Sequence, residues 1–193
     1  MLLRNYDNII AMSKMGFTLT DMQTDGFGDG ILSVKSRTGV IVSNYATSKA
    51  SPFSYFTSSN TNYTTLQGGQ SNLICGYDES EITYDTYEVG TIPNLTGVTH
   101  SSSDIVYDEE TNTYTREYSK IYSNNTSNPV TINYIGVLCS ISNALQNQVL
   151  IYKEKLPEPV EIPAYGSITL KFKTLVSGTP NKPADYVATA SVE

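Results

Sequence analysis

The stretch that decides the fold is "NPVTINYIGVLCS", Asn128–Ser140, which is followed by "VLIYKE", Val149–Glu154, and "GSITLKFKTLV", Gly166–Val176. The first stretch places Val130, Ile132, Tyr134, Gly136 and Leu138 on one side of an extended chain. Towards its end the other side also becomes apolar, which predicts a strand buried on both faces. The third stretch alternates apolar and polar residues, as a half-buried strand does. Together the three stretches predict the centre of a β-sheet.

The polarity of the chain comes from short hydroxyl and amide side chains. Charged residues make up only 16% of its 193 residues, below the roughly 25% of an average soluble domain. Thr and Tyr suit a pleated, half-exposed surface, whereas the residues that favour helix surfaces are scarce. The composition predicts one all-β domain, to which the patterns at the termini add a short N-terminal helix and an extended C-terminal arm. A β-sandwich or jelly-roll-like form of that domain is what the family resemblance given below implies.

Charge and cysteine usage argue against several classes of function. The formal net charge of −7 disfavours binding to nucleic acid, because that affinity depends on clustered Lys and Arg. Cys75 and Cys139 lie outside any C-x-x-C spacing and are expected to be free thiols. The N-terminal residues lack the apolar run of a signal peptide, and no membrane-spanning run follows. We expect a protein made in the cytoplasm without a signal peptide and without membrane contact.

The termini are predicted to be arms around a central domain. Apolar residues at helical spacing predict an amphipathic helix over residues 2–14, within an N-terminal arm of residues 1–16. Its apolar stripe either packs on its own domain or docks on a neighbouring chain. Residues 17–176 are the predicted sandwich domain. Residues 177–193, with Gly and Pro punctuation and little periodicity, are the predicted C-terminal arm.

Further strands and one long loop are predicted inside the domain. Strands are expected at Ile31–Lys35, Val40–Tyr45, 72–77 and 81–89, with a surface loop at 46–72. Residues 104–123 predict a hairpin that turns near Glu110–Asn112, and its second arm suits either an edge or a sheet that is partly covered on both sides. Pro157, Pro159 and Pro163 are placed between the last two strands, where a missing N–H does not interrupt a ladder.

No pattern of catalytic or metal-binding residues emerges. His100 is the only histidine, so a zinc or iron site built by pattern is not expected. His100, Ser101–Ser103 and Asp104 contain the three residue types of a catalytic triad, but adjacency in sequence does not make triad geometry. Carboxylate pairs for glycoside hydrolysis stay open, because their separation is a property of the fold. We expect a protein without catalytic residues, metal or cofactor.

The fifteen tyrosines and the apolar stripes are the candidates for subunit interfaces. Tyrosine is a preferred interface residue, because it offers a large amphipathic face with few rotors to immobilise. For each candidate, the competing interpretation is a place in the chain's own core. The candidate interface residues are Leu2, Leu3, Tyr6, Ile9, Ile10, Phe53, Tyr55, Phe56, Tyr114, Tyr118 and Tyr122.

The C-terminal part resembles small β-rich structural proteins of tailed bacteriophages. In those proteins a polar turn precedes a "vTI-x-x-iG" strand, a further strand ends in "L-x-x-P-V", and "iP-x-x-x-x-i-x-l-x-f" closes the sheet. The residues that match this pattern are Thr131, Ile132, Gly136, Pro159, Val160, Ile162, Pro163, Ile168, Leu170 and Phe172. Tyr134 stands where those proteins carry an acid. The resemblance covers mainly residues 120–176.

The resemblance implies a non-enzymatic virion protein of the head, neck or tail. It also implies a β-sandwich that assembles with copies of itself and with other virion proteins. A carbohydrate-binding or host-recognition module of the virion is the alternative, in which exposed Tyr and Asn would bind a glycan.

Overall fold

A computed structural model describes residues 1–7, 71–140, 148–177 and 185–193. These residues form two antiparallel sheets, and residues 4–7 are helical. The strands are β1 (Ser71–Gly76), β2 (Thr96–Ser102), β3 (Val106–Asp108), β4 (Thr113–Ser123), β5 (Val130–Ser140), β6 (Gln148–Ile162), β7 (Ser167–Ser177) and β8 (Asp185–Val192). The first sheet has the order β1-β5-β6, and the second has the order β2-β4-β7-β8 with β3 also beside β4.

The two sheets pack face to face around a shared apolar core, which confirms the predicted β-sandwich. The ring of Tyr152 on β6 meets the ring of Phe172 on β7 edge-on, with centroids 5.0 Å apart. From β4, the hydroxyl of Tyr122 donates to the carbonyl of Leu73 on β1 at 2.7 Å. Aromatic side chains therefore join the sheets both by apolar contact and by hydrogen bonding.

The central strand of the first sheet, β5, is buried on both faces, as its sequence predicts. Val137 and Cys139 face the second sheet and belong to the main core. Tyr134 and Leu138 belong to a second buried cluster, against which Ile82 packs from the segment after β1. An apolar strand of this kind needs cover on both sides.

A β-bulge at Asn133 changes the predicted faces of β5. Ile132 pairs with Val160, and the next paired residue of β5 is Tyr134. The extra residue moves Ile132 into the main core, whereas strict alternation predicts that it shares the face of Tyr134. The Asn133 side chain bonds both backbone groups of Asp78, at 2.8 Å each. It thereby replaces the ladder contacts that the bulge removes.

The prolines near the end of β6 lie inside that strand rather than after it. β6 continues to Ile162, whereas the sequence predicts a strand that stops near Lys153. Residues 156–159, which include Pro157 and Pro159, have no partner in β5, because the register passes directly from Lys155 to Val160. Pro157 and Pro159 therefore both lie outside the ladder with β5, where the missing N–H of a proline interrupts no pairing.

The predicted C-terminal arm is wrong for residues 185–192. These residues form β8, which pairs with β7 from Leu170↔Val192 to Ser177↔Asp185. Ala188 and Ala190 pack against the main core with their small side chains. Alanine gives little strand signal, so the sequence pattern missed this strand.

The remaining local predictions are partly confirmed and partly wrong. The hairpin in residues 104–123 is confirmed, but β4 lies inside its sheet and is not an edge. The strand predicted at 72–77 is confirmed as β1, which begins at Ser71, so the end of the predicted loop 46–72 belongs to that strand. No strand is present at 81–89, and β2 was not predicted. The two strands predicted between residues 31 and 45, and most of the loop, lie outside the described residues.

Candidate functional site

The first group of predicted interface residues packs on the chain's own core. Leu3 is fully buried and Tyr6 is 6% exposed, while Leu2 is partly buried against the main core. The apolar stripe of residues 1–7 therefore belongs to this domain, and Leu3 and Tyr6 are corrected from interface to core. The members of the predicted set that lie outside the described residues are Ile9, Ile10, Phe53, Tyr55 and Phe56.

The three candidate tyrosines of β4 separate into core and surface. Tyr118 and Tyr122 are buried between the sheets, so they too are corrected from interface to core. Tyr114, at the far end of the strand, is 47% exposed. All three share one face of β4 by alternation, but the core ends before Tyr114.

Tyr114 forms an exposed aromatic pair with Tyr107 on β3. The two residues lie opposite each other in the hairpin, and their ring centroids are 4.7 Å apart. Tyr107 is 45% exposed, and its hydroxyl donates to Asn112 Oδ1 at 3.0 Å. We call this pair the tyrosine face. It presents aromatic surface with few freely rotating bonds, as residues at the centre of interfaces do.

The turn of this hairpin is held by side-chain hydrogen bonds. Asp108 accepts from the backbone N–H of Glu110 at 2.9 Å and from the hydroxyl of Thr111 at 2.8 Å. Asn112 has a φ of 50°, a left-handed conformation that Asn tolerates better than most residues. The hydrogen bonds from Thr111 and Glu110 lower the pKa of Asp108. The turn is thus fixed by its own sequence and presents the tyrosine face on a defined support.

The other side of the hairpin has an exposed apolar edge that the sequence analysis did not single out. Ile105 is 63% exposed and Val106 is 61% exposed. We call Ile105–Asp108 the β3 edge. The sequence signal for this edge is "IVY", a run of three consecutive apolar residues in one arm of the hairpin. Among the described strands, that arm has only β4 as a partner. Contiguous exposed apolar residues of this kind mark interaction sites more often than scattered ones do.

The surroundings of the β3 edge are acidic. Between Thr96 and Thr113 the chain carries four carboxylates, Asp104, Asp108, Glu109 and Glu110, and neither Lys nor Arg. All four are exposed. A partner with positive charge is therefore favoured at this edge, and like charges are disfavoured.

The outer edges of β6 and β8 are occupied by groups of the chain itself. Beside β6, the backbone N–H of Leu3 donates to Ile151 O at 3.0 Å, so that residues 1–3 extend the first sheet. At β8, the N–H of Ala190 donates to Glu154 Oε2 at 3.2 Å, and the hydroxyl of Tyr152 reaches Ala188 O at 3.4 Å. Such coverage prevents another chain from pairing with these edges.

A buried ion pair lies under the segment that follows β1. The Lys153 ammonium is fully buried and forms a salt bridge with Asp78. The same ammonium donates to Glu88 O at 2.9 Å and lies 4.4 Å from the centroid of the Tyr134 ring. Partial burial of the Asp78 carboxyl opposes the shift, but its bonds with Lys153 and with Ser80 lower its pKa overall. Because every charge here has a partner, the pair fixes the segment to the sheet rather than presenting a reactive group.

Tyr134 also holds this segment in place. Its hydroxyl donates to the carbonyl of Val89, and burial raises its pKa. At Gly76 an added Cβ would lie 2.5 Å from the Tyr134 hydroxyl, so only glycine fits that position. Tyr134 is therefore an internal anchor.

A cleft of about 560 Å³ opens above the ion pair. Lys155 donates from this region to Glu79 O at 3.1 Å, so both of its lysines are already engaged. The residues that line it are Met1, Glu79, Glu81, Ile82, Lys153, Glu154 and Lys155. Its mixed charge selects no class of ligand.

A buried asparagine ties together two loops at one end of the sandwich. Asn124 is fully buried, and its Nδ2 donates to the carbonyls of Asn128 at 2.8 Å and Pro163 at 3.0 Å. Its Oδ1 accepts from the Thr126 hydroxyl at 2.7 Å. Beside these hydrogen bonds of Asn124, Tyr165 has a φ of 57° and is 74% exposed. Left-handed backbone is unfavourable for a bulky residue, so the hydrogen-bonded loops around Asn124 hold Tyr165 in a strained, outward position.

Within the part of the chain that the structure describes, no group of three or more His, Cys, Asp and Glu side chains is arranged to hold a metal. Cys75 and Cys139 are both buried and are not joined by a disulfide, and burial raises the pKa of Cys75 to about 12. The Cys75 thiol is therefore protonated and unreactive at neutral pH. Among the described residues no helix has the length and apolarity to cross a membrane.

Comparisons with known proteins leave the hairpin as the main indication of function. No protein-family model, no curated protein and no solved structure matches the chain.

Proposed function

We propose that the chain is a non-enzymatic structural subunit of a tailed-phage virion, in the head, neck or tail, which joins neighbouring subunits through its surface. The observation that carries this proposal is the tyrosine face. Tyr107 and Tyr114 are held 4.7 Å apart on a fixed hairpin, yet nearly half of each side chain remains exposed. An aromatic pair of this kind gains free energy when a neighbouring subunit buries it.

The virion assignment rests on the resemblance of residues 120–176 to phage structural proteins. The positions of several of those residues in the fold support the proposal. Asn124 joins two loops, and Ile132, Leu170 and Phe172 fill the shared core. A rigid sandwich with a projecting hairpin can transmit contact between subunits without rearranging.

The test is the mass of the full chain in solution, measured by light scattering over a wide range of protein concentration. We expect a defined oligomer that the double variant Tyr107→Ser/Tyr114→Ser weakens. The matched control is Tyr87→Ser/Tyr165→Ser, which removes two exposed tyrosines outside the hairpin and should leave the oligomer intact. A chain that stays monomeric at every concentration, or a control that dissociates as readily, contradicts the proposal.

A host-recognition module that binds glycans is the second candidate. Tyr77 and Tyr87 are each 36% exposed on the segment after β1, close in sequence to exposed carboxylates at Glu79 and Glu88. Aromatic faces with nearby acceptors can bind a sugar by stacking and hydrogen bonding. A titration with oligosaccharides, followed by NMR of the tyrosine rings, separates the two candidates. Shifts at Tyr77 and Tyr87 without any change of mass favour glycan binding.

A further inference from the structure

The outer edges of the described strands differ in whether other groups of the chain cover them. The β6 edge is covered by residues 1–3, and the β8 edge is capped by Glu154 and Tyr152. On the other side of the second sheet, β3 pairs with β4 alone among the described strands, and all three of its residues are exposed. The chain thus covers two edges, whereas β2 and β3 lie along the same side of β4 and have no second partner among the described strands.

The β3 edge lacks the Lys and Pro that protect many open edges against strand addition, and its protection consists of its short length and its flanking carboxylates. Proteins block open edges with Lys, with Pro or with inward-pointing charges. Residues 105–107 are Ile, Val and Tyr, and neither Lys nor Pro occurs between Thr96 and Thr113. The outward N–H and C=O groups of a short apolar strand are a ready template for an extended segment of another chain.

Charge decides which kind of chain fits. A second copy, added antiparallel about Tyr107, would bring its own Asp104, Asp108, Glu109 and Glu110 against the same four acids, which is repulsive. An extended segment with Lys or Arg meets those acids favourably. Its apolar residues would lie beside Val106 on one face of the new strand and beside Tyr107 on the other.

We propose that the β3 edge receives an extended, basic segment of a partner protein as an added β-strand. This inference rests on the proposed structural role and names the partner's chemistry. The added strand uses the backbone of β3, whereas contacts between copies use the tyrosine face. The two surfaces share Tyr107, whose ring belongs to the tyrosine face and whose backbone belongs to the β3 edge. Tyr114→Ser alone therefore tests the tyrosine face, and substitution of the exposed acids tests the β3 edge.

The test uses the full chain and a short synthetic peptide in which Val and Thr alternate with Lys. The same peptide with Glu in place of Lys is the charge control. Binding is followed by the backbone amide signals of Ile105, Val106 and Tyr107 in NMR. We expect the basic peptide to shift these signals, the acidic peptide to leave them unchanged, and added salt to weaken binding, because exposed charge pairs are screened.

Three exposed acids test the electrostatic part without disturbing the turn. The variant Asp104→Asn/Glu109→Gln/Glu110→Gln keeps Asp108, which holds the turn. Three exposed ion pairs together contribute about 1–2 kcal/mol, so we expect roughly tenfold weaker binding of the basic peptide. The control variant Glu81→Gln/Glu158→Gln/Glu161→Gln removes the same number of exposed acids elsewhere and should bind as the unchanged chain does.

Each remaining outcome decides between the two proposals. Peptide binding without shifts in the β3 edge, or with equal loss in both triple variants, overturns the β3 inference. So does an absence of binding, even where light scattering finds the expected oligomer, which leaves the structural role intact. Concentration-dependent shifts of the Ile105 and Val106 amides without peptide, which persist in Tyr107→Ser/Tyr114→Ser, identify a second copy as the occupant and overturn the β3 inference. Peptide binding by a chain that is monomeric at every concentration overturns the contact between copies and keeps the β3 inference.

Discussion

The buried Lys120 should make the stability of this protein rise with pH. Its side chain is only 3% exposed, donates to Asn72 Oδ1, and lies 4.8 Å from the centroid of the Tyr122 ring. Burial lowers its pKa from 10.5 to about 8. The folded state therefore releases this proton at a lower pH than the unfolded state does.

The sign and size of the effect follow from linkage between protonation and folding. Below pH 8 both states hold the proton, so stability does not change. Between pH 8 and pH 10.5 the unfolded state still binds the proton that the folded state has lost, so the free energy of unfolding rises. From the two pKa values, the contribution of Lys120 increases by about 2 kcal/mol between pH 7 and pH 9.5. Above pH 10.5 it is constant.

The measurement is urea unfolding of the unchanged chain and of Lys120→Met at several pH values from 7 to 9.5. Cys75 contributes in the opposite direction, because its raised pKa favours unfolding at high pH. Lys120 itself lowers the pKa of Cys75, but burial keeps the folded thiol protonated below pH 9.5 with or without Lys120, so the contribution of Cys75 cancels when the two stabilities are subtracted. The difference in stability should therefore shift by about 2 kcal/mol in favour of the unchanged chain. The control is Lys173→Met, which removes an exposed ammonium from the same sheet and shows the effect of losing one positive charge in itself.

A flat difference for Lys120→Met refutes the reasoning. It would mean that the buried ammonium keeps its ordinary pKa, because Asn72 and the Tyr122 ring fully replace its hydration. A change of opposite sign would mean that these partners stabilise the charged form more than water does. Either result would leave the strand register unchanged, because that register is set by the backbone ladder between β4 and β7.

Three further substitutions test the polar anchors and the strained turn. Asn124→Ala should lower the free energy of unfolding by about 3 kcal/mol, because several buried partners lose their hydrogen bonds; urea unfolding measures it, and the exposed neighbour Asn125→Ala should cost less than about 1 kcal/mol. Asp78→Asn should cost about 3 kcal/mol at neutral pH, because it leaves the Lys153 ammonium buried without a counter-charge. Since the pKa of Asp78 is lowered, this contribution should be lost as the pH falls below the ordinary value of 3.8; an equal cost at low pH contradicts the ion-pair account. Tyr165→Asn should raise the melting temperature by relieving about 1 kcal/mol of left-handed strain, and a lower melting temperature would show that the exposed ring makes stabilising contacts.

The strands that could be predicted are those whose apolar residues carry the signal. β5 and β7 have long aliphatic runs with clear alternation, and the β3–β4 hairpin has an unmistakable polar turn. β2 and β8 were missed because small or polar residues fill them, and only their partners in β4 and β7 make them strands. Residues 81–89 alternate like a strand, yet side-chain bonds from Asn133 and Lys153, rather than a ladder, hold the segment around Asp78 and Glu88.

Candidate interface residues were harder to predict than strands. Alternation correctly places Tyr114, Tyr118 and Tyr122 on one face of β4. It cannot show where the opposing sheet stops, so it does not separate the two core tyrosines from the exposed one. The importance of Tyr107 depends on the register that places it opposite Tyr114. The turn sets that register, and Asp108 and Asn112 are the residues that indicate the turn in the sequence.

The polar character of this chain is explained by where its amides and charges lie. Asn124 and Asn133 are buried and act as substitutes for backbone partners, at a loop junction and at a β-bulge respectively. Lys120 and Lys153 place ammonium groups between aromatic rings and buried acceptors. Buried groups of this kind add little net stability but penalise every alternative register, because each shift would leave one of them unpaired. A sandwich fixed in this way can leave one hairpin edge open for a partner without being pulled into other pairings itself.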